Sequence, residues 1–196
     1  MLLLFILPFW LFFQGILAMG GFYEDSSGVP PRLVLFAIVP ALLLIAVYLI
    51  FFRHPFIEKL PLRSLTILHI VRIPVEIVLL WLFLGGQVPH MMTFEGRNFD
   101  IVAGIAAPIV YWVSFRKGET HRGILIAFNI LGLMLLANIV TIAVISLPSA
   151  VQLINFDEPN RAVLYFPYVW LPSIVVPIVL FSHLASLVKL SGKHLR

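Results

Sequence analysis

The chain has 196 residues, of which 61% are hydrophobic and 11% charged, with a formal charge of +4 and no cysteine. Soluble domains carry roughly a quarter charged residues, so this composition, with a mean hydropathy of +1.07, excludes a water-soluble globular protein and points to helices in a bilayer. The missing thiols exclude disulfides, thiolate metal sites and cysteine-held iron–sulfur clusters.

Six apolar runs, at residues 2–19, 33–52, 62–84, 99–115, 123–147 and 163–190, are long enough to cross hydrocarbon. The expected fold is all-α, a polytopic membrane bundle of six transmembrane helices forming a single domain over residues 1–196. The first run, MLLLFILPFWLFFQGILAM, has no basic n-region and is long, so it reads as a retained first span and not as a cleaved leader. The connections after the first and fifth runs are acidic or mixed and rich in turn formers, whereas those after the second and fourth are basic.

Charge fixes the expected orientation. Nine basic residues flank one set of helix ends (Arg53, Lys59, Arg63, Arg116, Lys117, Arg122, Lys189, Lys193 and Arg196), and three flank the other (Arg32, Arg97 and Arg161). Positive residues stay on the cytoplasmic side, so both termini are expected in the cytoplasm. A bacterial inner membrane is the expected location. The basic excess then belongs to lipid headgroups and not to nucleic acid, for which no basic–aromatic patch exists.

Prolines interrupt most runs, at Pro8, Pro40, Pro74, Pro108, Pro172 and Pro177. Each removes an amide donor and frees the carbonyl four residues earlier, and in hydrocarbon that carbonyl needs another partner. Small residues four apart in the fourth and fifth runs, Gly104 with Pro108, Ala103 with Ala107 and Gly123 with Ala127, suit close helix approach. No internal repeat is evident, which argues against an inverted-repeat transporter.

The third run carries His69, Arg72 and Glu76 at i, i+3 and i+7, on one helical face, with Thr66 one turn earlier. A charge at membrane depth costs roughly 2.5–3.5 kcal/mol on insertion scales and normally faces a protein interior or a watery cavity. The stripe therefore reads as a path for protons, ions or a small polar ligand. Glu76 is its titratable centre, Arg72 a counter-charge or anion anchor, and His69 a relay toward the cytoplasm. The structural alternative is an Arg72–Glu76 pair at i, i+4 that only fixes helix packing. Asn129 and Asn138 on the fifth run are nine apart and point to opposite sides, so they are not expected to serve one site.

The connection GGQVPHMMTFEGRNFD places Glu95, Arg97 and Asp100 at an expected outer mouth, with Asp157, Glu158 and Arg161 able to join it. Asn98 is the expected cap of the fourth helix. His90, Met91 and Met92 are ligand types for Cu(I), but three consecutive residues converge poorly, and no metal site is assigned.

Two other classes stay open. His69 and His183 lie at matched depth on different runs, the minimum for a haem b in a bundle, or for a quinone beside them. The chain can also be a non-catalytic partner or assembly subunit of a larger membrane complex, or a homo-oligomer. No phosphate loop, GxSxG, HExxH or carboxylate-rich metal box is found, and Ser182 and His183 diverge by about 100° on a helix. The sequence thus leans away from an enzyme.

Overall fold

A computed structural model describes residues 2–25, 27–51, 56–116 and 119–192. Phe52, at the end of the second run, and Arg53, Lys117, Lys193 and Arg196, from the charge count, lie outside the described residues. The architecture is all-helical, with no strand among the described residues. We label the helices α1 (Leu2–Met19), α2 (Val34–Phe51), α3 (Leu62–Leu84), α4 (Asp100–Ser114), α5 (Arg122–Ile145) and α6 (Leu171–Ser191). Four of these, α2, α3, α5 and α6, are long and apolar enough to cross a membrane, whereas Ile6–Met19 of α1 and the whole of α4 are shorter apolar helices.

Each apolar run of the sequence holds one helix, but the last begins at Leu171 and not near residue 163. Pro167 and Pro172 explain the delay. A proline lacks the amide a helix interior needs and is tolerated in the first turn. The preceding residues therefore fold as a 3-10 turn over Ala162–Leu164, and Pro172 sits in the first turn of α6.

Prolines also explain how α1 is held. Pro40 cannot donate to the Phe36 carbonyl, and that oxygen accepts the Gln14 side-chain amide at 3.0 Å. Pro177 leaves the Ser173 carbonyl free in the same way, and the Trp10 indole N–H donates to it at 3.0 Å. Trp170 returns the contact from the other side, its indole donating to the Leu11 carbonyl at 3.0 Å. Both relieved stretches, Val34–Ile38 in α2 and Leu171–Val175 in α6, widen into a π-helical turn, the usual accommodation at such breaks. α1 thus docks by donating to backbone that its neighbours cannot satisfy alone.

Along the helix axes the interior is layered. One apolar layer gathers Leu62, Leu65, Leu125, Ala185 and Leu190 around Ile57. Another gathers Leu79, Leu82, Leu136, Ile139, Ile142 and Val179 under Val88 and Met92. A third cluster, of Ala18, Tyr23, Leu33, Ala37 and Leu147, ties the end of α1 to the start of α2. Between the first two layers, on α3, α5 and α6, the sequence turns polar. Ala103 and Ala107 are buried as their spacing predicts, but Gly123 has open space around it and serves no close approach.

Tyr23, just past α1, is buried and donates to the Gln14 oxygen at 2.5 Å. Burial pushes its hydroxyl from 10.0 up to about 12. The folded state then holds this proton more tightly than the unfolded chain, so its contribution is intact below about pH 10, the ordinary tyrosine value, and is lost as pH rises through the folded value. Thermal unfolding in detergent should show stability falling between pH 10 and about 12, and Tyr23→Phe should flatten that limb.

Candidate functional site

The polar layer is built around Arg72. Pro74 has no N–H, and just before it Leu68–Val71 tightens from α into a 3-10 turn. Side chains three apart eclipse in that geometry, so His69 and Arg72 project in one direction, more closely aligned than an α-helix would make them. Opposite them α4 comes close because Gly104 has no side chain. A Cβ there would lie 2.9 Å from Ile73 Cγ1 and 3.3 Å from Arg72 Cβ.

The guanidinium is bonded on three sides. Arg72 Nη1 donates to Asp100 Oδ1 at 2.9 Å, a salt bridge between α3 and the first residue of α4. Nη2 lies 3.3 Å from the Gly132 carbonyl of α5 and 2.9 Å from His183 Nε2 of α6. Arginine has no acceptor, so His183 Nε2 is the acceptor and the ring proton sits on Nδ1. That nitrogen donates to Asn129 Oδ1 at 2.8 Å, and the Asn129 amide in turn donates to the Leu125 carbonyl at 2.7 Å. The chain of donors is therefore one-directional, from Arg72 through His183 and Asn129 to the backbone of α5. Gly132 leaves the room for it: a Cβ there would fall 2.4 Å from His183 Cε1 and 2.5 Å from Nε2.

Glu76 has a different neighbour. Its Oε1 accepts from the Asn98 amide, which also donates to the Met92 carbonyl at 3.1 Å. Asn98 Oδ1 accepts the Asp100 backbone N–H at 3.1 Å, so one side chain both opens α4 and holds Glu76. Arg72 and Asp100 neutralise each other, which leaves Glu76 as a carboxyl with no cation of its own. Four atoms at this level have no hydrogen-bond partner among the described residues: both ring nitrogens of His69, Arg72 Nε and Glu76 Oε2. The His69 ring instead stacks on His183 at 3.8 Å between centroids and 17° between planes, with Phe128 edge-on to it at 5.4 Å.

Of the residues singled out in the sequence, Thr66, His69, Arg72, Glu76 and His183 are buried together in this core, Thr66 spending its hydroxyl on the Leu62 carbonyl of its own helix at 2.9 Å. Glu95 and Arg97 are exposed and stand apart from them. Three expectations are corrected. Asp100 does not belong to the outer mouth with Glu95 and Arg97. It is buried, because the short helix α4 begins inside the bundle and Arg72 needs a counter-charge there. The Arg72–Glu76 pair of the structural alternative is likewise replaced by Arg72–Asp100. His69 and His183 are also not spaced for haem b. Bis-histidine ligation needs two ring nitrogens facing each other across a macrocycle, whereas these rings lie flat together and His183 Nε2 is taken by Arg72.

Asn138, as its angular position predicts, is separate from Asn129 and bonds the Arg97 carbonyl at 2.8 Å. Met92 is buried while His90 is exposed, so the His–Met–Met run converges on no common point. Among the described residues no three His, Asp or Glu side chains are grouped to hold a metal ion. The sequence reading missed Gly132 as the space for His183 and Asn98 as the partner of Glu76. Gly132 stands three residues after Asn129, on the same face of α5, and that spacing was the available signal.

Removing one partner of a buried pair strands the other charge, at about 3–5 kcal/mol, whereas replacing both by apolar residues is often neutral. Asp100→Asn should therefore lower the unfolding temperature sharply, and Arg72→Leu with Asp100→Leu should recover much of it. Gly132→Ala should cost about 1–3 kcal/mol by overpacking and should shift the His183 ring resonances in NMR.

Residues 29–191, which hold α2 to α6 and every member of the polar layer, match a family described as Domain of unknown function (DUF8737). No curated protein and no solved structure matches the chain. On that match, covering most of its length, the chain belongs to the DUF8737 family.

Proposed function

We propose that this is a six-span protein of a bacterial inner membrane, with both termini in the cytoplasm, that binds and releases a proton at Glu76. The uneven distribution of Lys and Arg supports the orientation. One observation carries the function: a buried carboxyl without its own cation, Glu76, lies on the same helical face as an imidazole, His69, whose two nitrogens have no partner among the described residues. Leaving a buried polar atom unsatisfied costs about 1–3 kcal/mol, and groups tolerated in that condition are candidates for function. Arg72, held by three other helices, supplies a fixed positive charge beside the exchanging carboxyl. Asn98 orients that carboxyl, and the apolar layers on either side close it off from both compartments. The described arrangement is then an occluded one, and exchange requires one layer to part.

A second reading, as a packing subunit of a larger membrane complex, is favoured by the complete bonding of the Arg72 terminal nitrogens within the chain. Reconstitution in vesicles containing a pH-sensitive dye, with a potassium diffusion potential as the driving force, separates the two. The native protein should acidify or alkalinise the lumen, and Glu76→Gln should abolish the response while leaving the unfolding temperature nearly unchanged. No response from the native protein, an equal response from the variant, or unfolding of the variant would each favour the packing role.

A further inference from the structure

On the opposite face of α6 from His183 lies a second feature, which the polar layer does not use. A cavity of about 360 Å³ runs between α1, α2 and α6, walled by Trp10, Pro40, Tyr48, Phe56, Pro177 and Phe181 among others. Its volume falls in the range of small-molecule sites. It opens on one side, where Leu7 and Leu44 are exposed.

Among the described residues its walls are apolar apart from Trp10, Tyr48 and Ser173. The Trp10 indole is committed to the Ser173 carbonyl, and the Ser173 hydroxyl donates to the Val169 carbonyl at 2.7 Å. Whatever enters is therefore hydrocarbon. Two of the walls are made by the prolines that break α2 and α6, so the gap follows from the same breaks that let α1 dock. The Phe56 end continues into the turn Ile57–Lys59, where the Lys59 amide bonds the Phe56 carbonyl at 3.1 Å and the Lys59 side chain is exposed. Lys189 Nζ donates to the Glu58 and Leu60 carbonyls of the same turn at 2.7 and 2.6 Å, so two cations stand there against the one carboxylate of Glu58. A net positive turn beside an apolar slot suits a phosphate attached to a hydrocarbon tail.

We propose that this cavity holds one acyl chain of an anionic phospholipid whose phosphate lies against Lys59. The assignment is independent of the reading of Glu76. It is tested by reconstituting the protein in vesicles of equal parts phosphatidylglycerol and phosphatidylcholine, extracting it in mild detergent and recording native mass spectra. The native protein should retain one phospholipid, enriched in phosphatidylglycerol. Ala41→Phe, which fills the cavity, should lose it, as should Leu44→Trp at the open side, a position tolerant of a large side chain. Met134→Phe, on an exposed part of α5, should keep it, and Lys59→Gln should remove the preference for phosphatidylglycerol. A native protein without a retained lipid, or retention unchanged in both cavity-filling variants, would overturn the cavity assignment. An unchanged preference in Lys59→Gln would overturn the headgroup contact.

Discussion

The arrangement of the bundle depends on the salt bridge between Arg72 and Asp100. A guanidinium in an apolar interior is costly unless its charge is matched and its terminal nitrogens find acceptors. Here one carboxylate, one carbonyl and one imidazole do so, each from a different helix. Those requirements fix the depth of α4, the rotation of α5 that brings Gly132 forward, and the ring orientation of His183. Leucine layers above and below then pack around a centre whose geometry is already determined.

That centre also explains why two carboxyls close in space have different surroundings. Asp100 bonds the guanidinium directly, whereas Glu76 is hydrogen-bonded by the neutral amide of Asn98. Asn98 links them, accepting from the backbone of Asp100 and donating to Glu76. A loss or gain of charge at Glu76 is therefore felt at the first turn of α4 through a single side chain.

The helices were legible in the sequence because hydropathy over twenty residues is a strong signal, and the face shared by His69, Arg72 and Glu76 followed from helical spacing alone. The start of α6 was not, since apolar residues after 163 carry the same hydropathy whether or not prolines delay the helix. Pairing was less legible still. Spacing suggested Arg72 with Glu76, but an ion pair within one helix competes with any carboxylate that tertiary packing brings nearer, and Asp100 is 28 residues away in sequence. The freed carbonyls of Phe36 and Ser173 could be foreseen as needing partners, but nothing local identifies Gln14 and Trp10 as the side chains that supply them. The same limit applied to His69 and His183: matched depth was readable, while the stacking of their rings depended on the space left by Gly132.

The seam between α1 and α6 has a consequence for how the protein is made. Trp10 leaves the ribosome 163 residues ahead of Ser173, whose carbonyl it is to meet, so α1 waits for α6. Until α6 has been made, the indole of α1 lacks this acceptor, and the seam between the two helices cannot close.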